Sequence, residues 1–423
     1  MRWPGATARV LLALAAGAIA GLVLAATSAA AAATAAAIAQ PIGRLWLSAL
    51  QMTVVPLVLS LVILGVANAA NAAASGRVAR RAMVVFIVLL SLFSGYAALA
   101  APAVLAWVAP DPQLAATLQG SAAAVEAGTA PTLAQWIGNV IPSNAIMAAA
   151  QGAMLPLVVF ALFFGFALTR IDADRRAQVI GLAHGVADTM IVIVRWVLLA
   201  APLGVFALML AVCARAGLGV VGALAGYILL QCAMYTGAIA ICYLLVAVLA
   251  RRSPAAFAKA ILPAQAVAAS TQSSLASLPA MLESARDRLG VPRAVAALVL
   301  PMAVTLFRIT SPIQYIVAAC FVAWAYGIEL GAVQLAAGAA LAVVISLGSV
   351  GLPGQVSFMA TVMPVTQSMG LPVEPLGLLL AVDTIPDVFA TTGNVTGDLT
   401  ATAVVARHSD EARDDAPAPP DAG

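Results

Sequence analysis

An all-α, polytopic membrane protein is the fold class this sequence predicts, and three observations predict it. Hydrophobic residues fill 63% of the 423 positions and charged ones 9%, with a mean hydropathy of +1.06; a soluble core of that length needs far more polar surface. Apolar runs long enough to cross a bilayer recur along the whole chain. Arginines cluster between those runs, as they do in loops that alternate between two sides of a membrane.

Taken in order, the N-terminus MRWPGATARV leads into an Ala/Leu run. It reads either as a secretory signal with small-residue cleavage sites near Ala29 to Ala33 or as a first transmembrane helix, and the many apolar spans that follow favour the helix. Further spans run from about Gln40 to Ala74, Ala82 to Ala109, Asn144 to Leu168, Val179 to Ala214 and Gly217 to Ala250. Between Pro110 and Pro142 the chain is less apolar, with Asp111 and Glu126, and reads as an excursion outside the bilayer.

Basic residues set the orientation. Arg2 and Arg9 precede the first span, Arg77, Arg80 and Arg81 follow the second, and Arg170, Arg175 and Arg176 follow the fourth. Arg251 and Arg252 follow the sixth, Arg286, Arg288 and Arg293 the next apolar hairpin, and Arg407 and Arg413 end the chain. Opposite connections hold little beyond Arg44 and Arg215, so both termini are expected in the cytoplasm. The tail from His408, HSDEARDDAPAPPDAG, has almost no apolar bulk and is expected to be disordered.

Composition also excludes functions. The net charge of +3 is spread over dispersed arginines, so nucleic acid is no partner. Cys213, Cys232, Cys242 and Cys320 lie scattered in apolar segments and read as small hydrophobes. With only His184 and His408, a histidine-based metal site is excluded.

The last third departs from simple spans. From Ala255 to Glu283 the apolar run is interrupted by Ser270, Thr271, Gln272, Ser273, Ser274, Ser277 and Pro279. From Ala332 to Gly370 it is interrupted by Ser346, Gly348, Ser349, Gly351, Pro353 and Gly354. Each precedes a long helix with polar residues at mid-depth, the first carrying Arg308, Thr310, Ser311 and Pro312. Two such hairpins, each before a polar or broken helix, read as an internal repeat that places a solute or ion site at the membrane's middle. Irregular backbone survives at that depth only when buried in protein or lining a cavity.

The final helix, AVDTIPDVFATTGNVTGDLTATAVVAR, carries Asp383, Asp387, Thr391, Asn394 and Asp398 at gaps of four, four, three and four residues, which is one helical face. A carboxylate at bilayer depth costs roughly 2.5–3.5 kcal/mol on insertion scales, so such acids line a path or meet a partner. Asp383 and Asp387 on one helix are badly placed to share a water as a protease dyad, and no enzyme is expected.

These residues also carry a family resemblance. Asn394-Val-Thr-Gly-Asp398-Leu-Thr, Gly351-Leu-Pro-Gly and Ser273-Ser274-Leu-Ala-Ser-Leu-Pro279 are its main carriers. Met52-Thr-Val-Val-Pro56-Leu-Val, Ile141-Pro-Ser-Asn144 with Leu155-Pro-Leu-Val, and Ala201-Pro-Leu-Gly-Val-Phe206 extend it from about Arg9 to Arg407. Together they resemble the dicarboxylate/amino acid:cation symporter family of glutamate-transporter homologues.

The resemblance implies eight transmembrane helices plus two re-entrant helical hairpins, assembled as a homotrimer in the cell inner membrane. It assigns residues 1–81 to scaffold helices 1 and 2, 82–109 to transport-domain helix 3 and 110–216 to scaffold helices 4 and 5. Residues 217–253 form transport-domain helix 6, 254–406 the transport core (hairpin 1, helix 7, hairpin 2, helix 8) and 407–423 a cytoplasmic tail. The transport domain would move by an elevator mechanism. Asp387 matches the acid that pairs with a substrate amino group, and Thr391 and Asn394 match polar substrate contacts. Asp398 matches a sodium ligand, with Asn394 beside it in a residual sodium site. Ser273, Ser274 and Gly351 match hairpin tips that close over substrate. No organic cofactor is implied; sodium or a proton is the coupling ion, and the substrate is a small amino acid or carboxylate.

Two departures qualify that picture. Where the family carries Asn-Met-Asp-Gly-Thr in helix 7, this chain has Phe307, Arg308, Ile309, Thr310 and Ser311, and apolar side chains cannot bind a hard cation. Ile87 and Leu90 likewise stand for the family's Tyr and Thr in helix 3, so weakened sodium coupling is expected. Two roles stay open for Arg308: neutralising Asp398 or Asp387 in place of sodium, or clamping a substrate carboxylate. Ala390 stands where acid-transporting members place an arginine, which favours a small zwitterionic amino acid unless Arg308 has taken over the clamp.

Overall fold

The computed structural model describes residues 6–74, 76–108, 138, 140–348 and 354–407. Most of the 110–142 excursion, Gly351 and the tail from His408 lie outside the described residues. Among those described, the regular structure is helical throughout. Six runs are long and apolar enough to cross a membrane, or seven if one bent pair counts as a single span.

The first half is built from α1 (Ala6–Thr27), α2 (Ala29–Gln51), α3 (Val54–Ala74), α4 (Arg77–Leu105), α5 (Ala145–Ala150), α6 (Met154–Leu168), α7 (Ala173–Leu199) and α8 (Ala201–Ala216). Three expected spans are broken, each near a proline. The second starts at Ala29 rather than Gln40 and is interrupted after Gln51, with Pro56 in the first turn of α3. The fourth divides into α5 and α6 at Gly152, which takes φ +65°, with Pro156 two residues into α6. The fifth divides at Ala200, two residues before Pro202 in the first turn of α8. Proline lacks the N–H an uninterrupted helix needs but fits a first turn, so each run restarts at its proline.

The second half follows as α9 (Gly219–Leu249), the helical pair α10 (Pro254–Thr271) and α11 (Ser274–Glu283), a π-helical turn (Ser284–Arg288), α12 (Arg293–Leu306), α13 (Thr310–Tyr326), the pair α14 (Ala332–Gly348) and α15 (Gly354–Ser368), α16 (Leu376–Val382) and α17 (Thr384–Arg407). Outside the apolar spans, hydrogen bonds from Arg286 hold the Asp287 carboxyl below its usual range.

Packing follows side-chain size. α1, α2 and α8 lie together, with glycines where their backbones meet: a Cβ on Gly17 would fall 2.6 Å from the Phe206 carbonyl oxygen. Close approach through small residues is how helices associate where lipid removes the hydrophobic drive. α17 contacts α4, α9, α10, α11, α12 and α13, and from Ala390 to Ala406 nearly all of it is buried. A strongly polar helix is thus largely enclosed by the rest of the bundle. Arg407 closes its end by donating to the Leu249 carbonyl at 2.6 Å, and Arg252 likewise ties the end of α9 to the Leu289 carbonyl.

Candidate functional site

Three interruptions in the second half meet around α17. The first is the unwound stretch Phe307–Ile309. A continuous helix would drive Pro312 into the carbonyl of Arg308, so α12 stops and α13 restarts with Pro312 in its first turn. The freed end of α13 is capped from across the bundle: Asn394 Oδ1 accepts from Thr310 N at 3.1 Å and from Thr310 Oγ1 at 2.9 Å. Gly393 leaves room for this cap, since a Cβ there would sit 2.7 Å from Thr310 Cγ2.

Neighbours of the break are packed as core. Phe307 is fully buried and stacks on Phe86, centroids 4.6 Å apart and 13° from parallel. Ile309 is equally buried and lies over Gly397, where a Cβ would meet its Cδ1 at 2.8 Å. On α4 it is Phe86 and Leu90 that face inward, whereas Ile87 is 42% exposed. One residue is a 100° turn, so Phe86 rather than Ile87 is the side chain of this stretch that packs against Phe307.

The second interruption lies at Asp383. The stretch from Ala381 to Arg407 reads in sequence as one helix with Pro386 as a kink inside it, and α16 and α17 meet there at 72°. Pro386 explains it, having no N–H for the Val382 carbonyl. Asp383 therefore occupies the corner, buried, and both its oxygens accept from Gln314 Nε2, at 2.8 and 3.0 Å. Asp387 remains in the first turn of α17, half-buried, where the helix N-terminus favours a negative charge.

The third interruption is the tip of the α10/α11 pair. Gln272 turns the chain with φ +51°, Ser273 caps α11 by accepting from Ala276 N at 3.2 Å, and Ser274 Oγ is buried without a partner. Gln272 Nε2 donates to the Thr384 carbonyl at 3.3 Å, so this tip touches the corner beside Asp383. Deeper, Gln265 Nε2 bridges Thr396 Oγ1 at 2.8 Å and the Tyr243 hydroxyl at 3.2 Å.

Asp398 is fully buried, and neither of its oxygens accepts a hydrogen bond. Thr396, Thr400 and Thr402 around it donate to carbonyls of their own helix instead. Arg308 acts electrostatically on both Asp387 and Asp398, yet among the described residues it forms an ion pair with neither, and its buried Nε has no partner. The expected Arg308–carboxylate pair is thus not made in this structure. Between inward-facing Phe307 and Ile309, the unwound backbone leaves Arg308 half-exposed.

Of the expected residues, Thr391, Asn394 and Asp398 lie buried on α17, Arg308 lies within electrostatic reach of Asp387 and Asp398, and Ser273 and Ser274 sit beside Gln272, which bonds the start of α17. Sequence reading missed Gln314, Gln265 and Phe86; the prolines at 312 and 386 were the available signal for both breaks.

A profile of the sodium:dicarboxylate symporter family matches residues 6–408. The chain belongs to the sodium:dicarboxylate symporter family. Members of this family are transporters, not enzymes. The proton/glutamate-aspartate symporter of Escherichia coli (strain K12) is 31% identical over 278 residues, 64% of this chain and 61% of the relative. The proton/sodium-glutamate symport protein of Bacillus subtilis (strain 168) is 28% identical over 279 residues, 65% and 63%. Neutral amino acid transporter B(0) of Oryctolagus cuniculus is 30% identical over 249 residues, 58% and 45%. The chain spans less than two thirds of the length of each of these curated relatives. Family membership and the apolar helices make this an integral membrane protein.

Proposed function

We propose that this member of the sodium:dicarboxylate symporter family is a secondary active transporter. It carries a small amino acid or carboxylate across the inner membrane by an elevator movement, as a homotrimer with both termini cytoplasmic. The observation that carries this reading is the meeting of two broken helices and a hairpin tip around α17, which leaves Asp387 half-buried at a helix start. Asp387 takes the substrate ammonium, Ser273, Ser274 and Gly351 close over the substrate, and Thr391 and Asn394 line it. α1 to α3 and α5 to α8 serve as scaffold, while α4 and α9 to α17 move.

Sodium coupling is weakened in this reading. Beside Asp398 and Asn394 the neighbouring positions hold Phe307 and Ile309, which offer no oxygen, and Asn394 Oδ1 already serves Thr310. Uptake into liposomes with and without a sodium gradient tests it; steep dependence on several sodium ions refutes it.

A second reading makes Arg308 the clamp for a substrate carboxylate, with proton-coupled, sodium-coupled or uncoupled movement. Its favouring observation is the buried Nε without a partner.

A further inference from the structure

Asp383 stands apart from the acids assigned to substrate and ion. It is 4% exposed, it occupies the 72° corner between α16 and α17, and its one hydrogen-bonding side chain is the neutral amide of Gln314. Among the described residues no arginine or lysine pairs with it. Gln314 from α13 is in contact with it, and Asp387 from α17 and Tyr227 and Tyr235 from α9 lie within its electrostatic reach. The Tyr235 hydroxyl accepts from Gln231 Nε2 at 2.9 Å, while Tyr227 Oη and Gln231 Oε1 are buried without partners.

A buried carboxylate without a cation is costly, and a second acid one turn away adds to that cost. Among the described residues no group of three His, Cys, Asp or Glu side chains gathers here to hold a metal. A proton removes the charge with no added volume.

Gln314 suits both states. An arginine partner would lock the ionised form, because guanidinium only donates. An amide has a donor and an acceptor. It donates to both oxygens of the carboxylate, as seen here. Turned about its last torsion, it accepts from the protonated oxygen through Oε1 while Nε2 still donates to the other.

We propose that Asp383 is the proton-binding site of the transport cycle: one carboxylate oxygen takes a proton from water on one side of the membrane and gives it up on the other. The inference rests on the transport reading above and deepens it by naming the coupling ion and the residue that carries it. The position suits the role. The Asp383 carbonyl accepts from Asp387 N at 2.9 Å, and the hairpin tip holds Thr384 through Gln272, so proton occupancy is felt where substrate and closing elements meet.

The test uses the full chain in liposomes with a trapped pH dye and labelled substrates of both acidic and neutral classes. Wild type is expected to move a proton with each substrate, and Asp383→Asn to lose proton movement per substrate moved. Infrared difference spectra of the purified proteins, recorded as pH is stepped, give a second readout that needs no transport. A protonated-carboxyl band is expected in wild type, shifted in Gln314→Leu and missing from Asp383→Asn. Proton movement surviving in Asp383→Asn, or a band unchanged by that substitution, overturns the inference. Failure of wild type to move any substrate counts against the transport reading alone, because the infrared band still reports on Asp383.

Discussion

Phe307 lies flat on Phe86, centroids 4.6 Å apart, where the family pattern places an oxygen ligand. A stacked aromatic pair is worth roughly 0.5–1.5 kcal/mol beyond its burial, and Ile309 seals the adjoining space over Gly397. Both side chains are packed as core.

Restoring the oxygen donors is the direct check. The double substitution Phe307→Asn with Ile309→Asp is expected to create a sodium-specific thermal shift that wild type lacks. A site filled to a hundred times its dissociation constant stabilises by about 2.7 kcal/mol. Thermal unfolding in sodium against potassium chloride measures it, and an equal shift already present in wild type would count against the lost site.

Asn394 holds the start of α13 by accepting two hydrogens from Thr310. Asn394→Leu strands the buried Thr310 N–H, at roughly 1–3 kcal/mol for a group left unmade, while the Thr310 hydroxyl keeps the Ala390 carbonyl as acceptor at 3.3 Å. Asn394→Asp keeps an acceptor in the same place and is expected to retain most of the stability. Melting temperatures of the two variants, compared in one detergent, separate a capping role from a purely substrate-binding one.

Much of this was legible in the sequence because the bilayer enforces it. Apolar length marks spans, and polar residues inside them mark the site. Asp387, Asn394 and Asp398 were readable on that ground, since nothing but function or pairing keeps such groups at depth. Partners from distant positions were not readable. Gln314 meets Asp383 and Gln265 meets Thr396 across sequence separations that no period encodes. The inward turn of Phe86 over Ile87 depends on helix phase, which an all-apolar run hides. The breaks at Asp383 and Phe307–Ile309 were foreshadowed only by Pro386 and Pro312.

The tight seam of α1, α2 and α8 offers a stability prediction away from the site. A Cβ on Gly204 would lie 2.3 Å from the Trp46 ring, and Trp46 Nε1 is anchored to the Val197 carbonyl at 3.2 Å. Gly204→Ala must displace an anchored indole, an overpacking cost of about 1–3 kcal/mol. The expected outcome is a lower melting temperature with unaltered substrate preference, read by thermal unfolding and by competition between substrates.

Arg308 decides between the two substrate readings. Its guanidinium forms no ion pair with Asp387 or Asp398 among the described residues, although both feel its charge. A cation held half-buried beside a ligand path attracts whatever anion enters, and a hydrogen bond to a charged group contributes about 1.5–3 kcal/mol, roughly ten- to a hundredfold in affinity. If Arg308 clamps substrate, Arg308→Met weakens binding of acidic amino acids or dicarboxylates by that factor and leaves small neutral amino acids little changed. If it serves instead to balance Asp398, the substitution leaves that buried carboxylate without its nearby cation and depresses stability and all substrates alike. Competition binding with an acidic and a neutral amino acid, paired with melting temperatures of wild type and Arg308→Met, separates a selective loss from a general one.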